Sequence, residues 1–156
     1  MTACQICERP IKATTGLIAH HGYQRPHQMH FQTRSCFGAR YRPYEVASDA
    51  LSPYIEMLVD WEVRTRKHLL SLRSDPPATL TFRWSNSWRD REGSIEIPRP
   101  EGFDPATARP NYTPRAYVTL YLAAAYNDES EIKSLVTEIA RCQARLAAWR
   151  PVEEAA

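Results

Sequence analysis

Along two long stretches of this chain apolar residues recur at three- and four-residue steps. Along two short stretches between them they alternate with polar ones. In the first long stretch Leu51, Tyr54, Ile55, Leu58, Val59, Val63, Leu69 and Leu70 trace one stripe, which predicts an amphipathic helix within about 43–73. Ser52-Pro53 reads either as an N-cap followed by proline at the first helical position or as a kink after a short lead-in. Glu56, Asp60 and Glu62 come before Arg64, Arg66, Lys67 and Arg73, an order that complements the helix macrodipole. Asp75-Pro76-Pro77 stops the helix.

The alternating segments 79–84 and 93–98 predict a β-hairpin whose long polar loop runs from Ser85 to Glu92. Leu80, Phe82, Trp84, Ile95 and Ile97 would form its buried face. Five prolines within 98–114 suggest an extended connection. Residues 117–126 carry signals for both strand and helix, and the alanines tip the reading to helix. Asp128 and Glu131 have the spacing of a capping box. Ile132, Leu135, Val136, Ile139, Leu146 and Trp149 then form a helical stripe ending before Pro151, with Cys142 beside it as a small buried residue. The two long helices are expected to pack as an antiparallel pair, and they could also carry a homodimer interface.

Composition changes this picture little: 43% of residues are apolar and 24% charged, as in ordinary water-soluble chains. No run approaches the roughly 18–20 apolar residues needed to span a bilayer. The first twelve residues are polar and cysteine-bearing, unlike a secretory signal, so a cytoplasmic protein is expected. Charge is more informative. Residues 1–44 carry a net +5 and residues 45–156 a net −3, a basic head on a mildly acidic body. Such a head attracts anions, nucleic acid or an acidic protein face among them.

The cysteines sharpen the reading of that head. Three of the four lie within the first 36 residues. Cys4-Gln5-Ile6-Cys7 has the spacing that lets one tight turn present two thiolates to a single metal ion, with Cys36 as a third ligand. Gly38 could supply a left-handed turn for the second knuckle. A tetrahedral zinc ion then needs one more ligand, and spacing leaves His20, His21, His27 and His30 all open. The βαβ pattern that a redox Cys-x2-Cys requires is missing. Glu8 is the only acid in the segment, which argues against catalytic zinc.

Cys4-Gln-Ile-Cys-Glu-Arg-Pro-Ile-Lys12, Gly16-Leu-Ile-Ala-His-His-Gly-Tyr-Gln-Arg-Pro26 and Thr33-Arg-Ser-Cys-Phe-Gly-Ala-Arg-Tyr-Arg-Pro-Tyr-Glu45 resemble a group of small phage and prophage proteins. Those proteins begin with zinc-finger-like segments and continue into long charged helices. The likeness covers about the first 45 residues and beyond that only general architecture. It implies a single structural zinc ion and favours His21, the histidine directly before Gly-Tyr, as the fourth ligand. It also implies a host-cell cytoplasmic setting, and supplies no activity.

The expected fold is therefore α+β. A zinc-finger or zinc-ribbon-like module over 1–44 precedes a helical hairpin body over 45–156, with the β-hairpin inserted at about 79–98. No phosphate loop, metalloprotease motif or catalytic triad is evident, so no enzymatic activity is expected. Two functions fit. The protein could bind a host protein or protein–nucleic acid complex and so inhibit or modulate bacterial machinery or defence. Alternatively, the basic head could bind nucleic acid. Candidate contact residues are Lys12, Arg25, Arg34, Arg40 and Arg42 on the head, and Trp84, Trp88, Arg89 and Arg91 in the hairpin. Tyr23 or Tyr41 could stack on bases.

Overall fold

A computed structural model describes residues 2–13, 15–22, 35–86, 91–109 and 116–151. Among them the elements are β1 (Thr2–Ala3), β2 (Pro10–Ile11), α1 (Leu51–Ser74), β3 (Thr79–Asn86), β4 (Arg91–Pro98) and α2 (Tyr117–Ala148). Two helices and two small antiparallel sheets make the fold α+β. The chain forms two compact units: Met1–Trp61 with Leu135–Ala156, and Glu62–Ser134. The module expected over 1–44 lies within the first, together with the start of α1 and the end of α2.

In the first unit β1 and β2 pair through Thr2↔Ile11 and Ala3↔Pro10, closing the chain around the Cys4–Arg9 turn. Cys4, Ile6, Ile18, Ala50, Leu51 and Cys142 form the core, flanked by Phe37, Tyr41, Tyr54, Ile55 and Leu146. The Phe37 ring lies 5.9 Å from Tyr41 and 5.1 Å from Tyr54. α1 starts at Leu51, so Ser52 is not its cap. The Ala50 N–H at the helix entrance is instead taken by the Gln5 side-chain oxygen at 2.7 Å. Pro53 sits in the first turn, where an N–H would have no partner within the helix.

The apolar stripe of α1 is displaced from the expected one. Leu51, Leu58, Thr65, Leu69 and Leu72 are buried, while Val59, Val63 and Leu70 are 40%, 55% and 66% exposed. The buried positions are spaced by seven, seven, four and three residues, one narrow stripe along the helix. Apolar residues occur on both sides of the helix, so hydrophobicity alone did not mark the inward one. Thr65 holds a core position because its hydroxyl donates to Glu131 at 3.1 Å.

The second unit is built on the β3–β4 hairpin. Its ladder runs from Thr79↔Pro98 to Asn86↔Arg91, so the strands extend into the expected Ser85–Glu92 loop and leave only 87–90 between them. Leu80 and Ile97 pack with Leu72, Tyr117, Tyr121 and Phe103. That cover is strongest at the hairpin base. Trp84 and Ile95, expected to be buried, are each 39% exposed. Trp84 faces Gly93 across the ladder, and a Cβ at Gly93 would fall 2.4 Å from the indole Cζ2. The bare glycine lets the ring lie across the neighbouring strand.

Within 98–114, residues 99–109 fold into turns rather than an extended run. Gly102 takes φ +71° and the Asp104 carboxylate accepts from Ala106 N–H at 2.9 Å. These turns place Phe103 edge-on to Tyr117 and Tyr121, at 5.0 and 5.1 Å.

α2 is one helix of 32 residues, which settles 117–126 as helical and removes the expected start at Asp128. No glycine or proline interrupts Tyr117–Ala148, and alanines at 123–125 favour helix continuation. Asp128 and Glu131 are mid-helix partners of α1: Asp128 lies 2.6 Å from His68 Nδ1 and Glu131 accepts from Thr65. None of the described helices is long and apolar enough to cross a membrane.

Candidate metal centre

Four side chains converge beside the Cys4–Arg9 turn. The ligand atoms of Cys4, Cys7, His21 and Cys36 all lie within 4.8 Å of one another. Cys4 Sγ is 3.9 Å from Cys36 Sγ, and Cys7 Sγ is 3.1 Å from His21 Nε2. A tetrahedral zinc ion with Zn–S bonds of about 2.3 Å sets its sulfurs roughly 3.8 Å apart, so the donor set and the Cys4–Cys36 edge both fit.

Local backbone geometry explains why these four meet. The tight turn puts Cys4 and Cys7 on one side, and Glu8 completes it in the left-handed region at φ +64°. Cys36 N–H donates to His21 O at 2.8 Å, and Ser35 Oγ donates to the same carbonyl at 3.1 Å. His21 and Cys36 are thereby fastened to each other across the intervening chain. His21 is 7% exposed, and its Nδ1–H donates to Ala19 O at 2.8 Å. That bond fixes the tautomer and leaves the Nε2 lone pair facing the sulfurs. His20 points elsewhere: its Nε2 accepts from Arg40 Nε at 3.0 Å. His27 and His30 lie outside the described residues.

Gly38 serves the site differently from the expectation. Its φ is not left-handed; the positive-φ positions nearby are Gly22 at +66° and Arg40 at +68°. A Cβ on Gly38 would fall 2.4 Å from Cys4 Sγ, so glycine is needed for close approach to the sulfur and not for a turn.

The hydrogen bond with the Cys36 thiol, aided by the N–H groups of Cys7 and Ile6, holds the Cys4 thiol well below its ordinary range. Cys36 is pushed up by the same bond and by burial. Metal binding takes these cysteines as thiolates, so it would release their protons. Cys142 is fully buried and its thiol is pushed up to about 11 by burial, which marks an inert core thiol.

Gln5, between the two cysteines, carried no sequence signal beyond its place in the motif, yet it is a structural hub. Fully buried, it donates to Arg42 O and Asp49 Oδ1, both at 2.8 Å, and accepts from Ala50 N–H. Gln5→Ala leaves several buried groups unpaired and should lower stability by about 3 kcal/mol. Urea denaturation of the zinc-supplemented protein would measure this.

Two carboxylates in this unit favour neutral pH. The Gln5 amide, then Arg42, holds Asp49 below its ordinary 3.8, and Arg141 holds Glu138 below its ordinary 4.5. Both folded values are depressed, so their contribution is full above the ordinary values and lost as pH falls through the lowered ones. The Asp49→Asn/Glu138→Gln double variant should therefore lose less stability than the parent between pH 5 and 3, by roughly the linkage of two groups.

Of the other candidate contact residues, Lys12, Arg40 and Arg42 are exposed on the first unit, with Arg42 paired to Asp49 at 3.2 Å. Half-buried Tyr41 stacks on Phe37. Trp84 lies on the hairpin of the second unit. Tyr23, Arg25, Arg34, Trp88, Arg89 and the Arg91 side chain lie outside the described residues. Comparison with protein-family models, with curated proteins and with solved structures returns no match to this chain.

Proposed function

We propose that Cys4, Cys7, His21 and Cys36 hold one structural zinc ion in a zinc-finger-like module, and that the protein acts without catalysis by binding a partner protein. The observation carrying this reading is the closed donor set. Three thiolates and one imidazole fill a tetrahedron, leaving no coordination position for a substrate. The nearest acids are engaged as well: Glu8 and Glu138 both pair with Arg141. Zinc here is a folding staple.

Several features favour a protein partner. Arg42 is already paired with Asp49, which reduces the charge the head offers to phosphates, and Arg40 Nε is engaged by His20. The hairpin presents Trp84 and Ile95, the apolar kind of anchor that protein interfaces use. The likeness to phage proteins makes a bacterial host component the expected partner, by association only. The +5 charge of residues 1–44 supports a second reading, nucleic-acid binding.

Elemental analysis should give close to one zinc per chain. Capture from a bacterial lysate should retain one partner in a Trp84-dependent manner, lost in Trp84→Glu. A salt-sensitive mobility shift with DNA or RNA and no retained protein would transfer the function to the second reading.

A further inference from the structure

Three consecutive carbonyls of the metal turn are bound by two arginines of α2. Arg145 donates to Cys4 O at 3.3 Å and to Gln5 O at 2.9 Å, and Arg141 donates to Ile6 O at 2.7 Å. Glu8, at the end of the turn, forms ion pairs with both arginines. The sulfurs of Cys4 and Cys7, at the two ends of this short run, belong to the centre. The peptide planes between two metal ligands are therefore held by two guanidinium groups.

A second connection leads to the same place. Tyr44 N–H donates to Ala3 O in β1 at 2.9 Å. The Arg145 guanidinium lies 3.7 Å above the Tyr44 ring, Tyr44 OH donates to Arg145 O at 2.7 Å, and Trp149 Nε1 donates to Tyr44 O at 2.7 Å. The polar anchorage of the end of α2 and of Trp149 just after it thus runs through the metal turn and the strand that enters it. Beneath these bonds sit Cys142, fully buried, and Leu146.

From this arrangement we propose that the metal turn is a latch: zinc binding holds the C-terminal part of α2 against residues 3–8 and 44, and zinc loss releases it and uncovers the apolar face of Cys142 and Leu146. The proposal rests on the zinc reading above. Its physical basis is that the arginines meet correctly aimed carbonyls only while the turn is closed. When the turn opens, the peptide planes rotate and the guanidinium groups return to water, which solvates them well.

Cys142 is a built-in reporter, because it is not a ligand and is fully buried in the closed state. The test is iodoacetamide labelling of the full chain with Cys142 followed by mass mapping, zinc-loaded and after treatment with a strong chelator. Removing zinc should accelerate Cys142 labelling by at least about tenfold, while hydrogen exchange of the β3–β4 amides stays protected. Arg145→Ala should accelerate labelling at saturating zinc and, by reciprocity, weaken zinc against a competing chelator. The latch is overturned if Cys142 stays protected after zinc is removed, if Arg145→Ala labels no faster than the parent, or if Cys142 and the β3–β4 amides open together. No zinc in the zinc-supplemented protein would overturn the zinc reading itself. Zinc present with Cys142 indifferent to its removal would overturn the latch alone.

Discussion

Cys36→Ser should lose its zinc and unfold the unit that joins residues 1–61 to 135–156. The serine hydroxyl stays protonated and is a poor zinc ligand, so the centre drops to three effective donors. The hydrophobic cluster around the centre, which must then hold without the metal, is small: its buried members are Cys4, Ile6, Ile18, Ala50, Leu51 and Cys142. Structural zinc contributes about 10–16 kcal/mol to folding in zinc-finger peptides, as large as the whole stability of most domains, roughly 5–15 kcal/mol. Loss of the metal should therefore abolish the cooperative transition of this unit. The control is Cys142→Ala, which removes a buried sulfur of comparable size from the same core but no ligand. It should keep one zinc and cost about 1 kcal/mol. Elemental analysis and urea denaturation of both variants decide the matter. A Cys36→Ser protein as stable as the parent would refute the structural role of the site.

Gly38 offers a second large effect, aimed at the site without touching a ligand. Gly38→Ala puts a methyl group 2.4 Å from Cys4 Sγ and 3.2 Å from Ile6 Cγ1. Neither neighbour can yield easily. The sulfur cannot retreat without leaving the cluster, and Ile6 is 4% exposed within the core. Overpacking of this kind costs about 1–3 kcal/mol in an apolar core, and displacement of a ligand adds to it. The expected loss is at least about 3 kcal/mol, with zinc affinity falling roughly a hundredfold or more. Gly16→Ala makes the comparison clean. Gly16 has φ +78° and nothing within 4 Å of its Cβ position, so only backbone strain of about 1 kcal/mol applies. Chelator competition should separate the two variants; equal zinc affinities would show that Gly38 does not guard the sulfur.

Much of the architecture was legible because it depends on local pattern. The hairpin followed from alternation and came out longer than read, since Ser85 and Glu92 lie in its ladder. The helices followed from three- and four-residue steps. Local reading erred where two patterns competed. Asp128 and Glu131 have the spacing of a helix start, yet they lie inside α2 because nothing before them breaks the helix. Val59, Val63 and Leu70 look like core, yet the face that turns inward carries Thr65 and Leu72.

By itself the sequence determined that three cysteines and a histidine near the N-terminus were available to one metal, because a Cys-x2-Cys turn is a local device. Tertiary structure decided which histidine faces the sulfurs. Four stood at acceptable spacing, and among the described ones only His21 has its Nδ1 tied to Ala19 O and its carbonyl bound to the Cys36 amide. Tertiary structure alone also decided that Gln5 reaches Asp49 and Ala50, and that Arg141 and Arg145 close over the carbonyls of residues 4–6. These partners lie about 45 and 135–141 positions apart. A hydrogen bond between such distant segments leaves no periodicity in either, so only the folded chain reveals it.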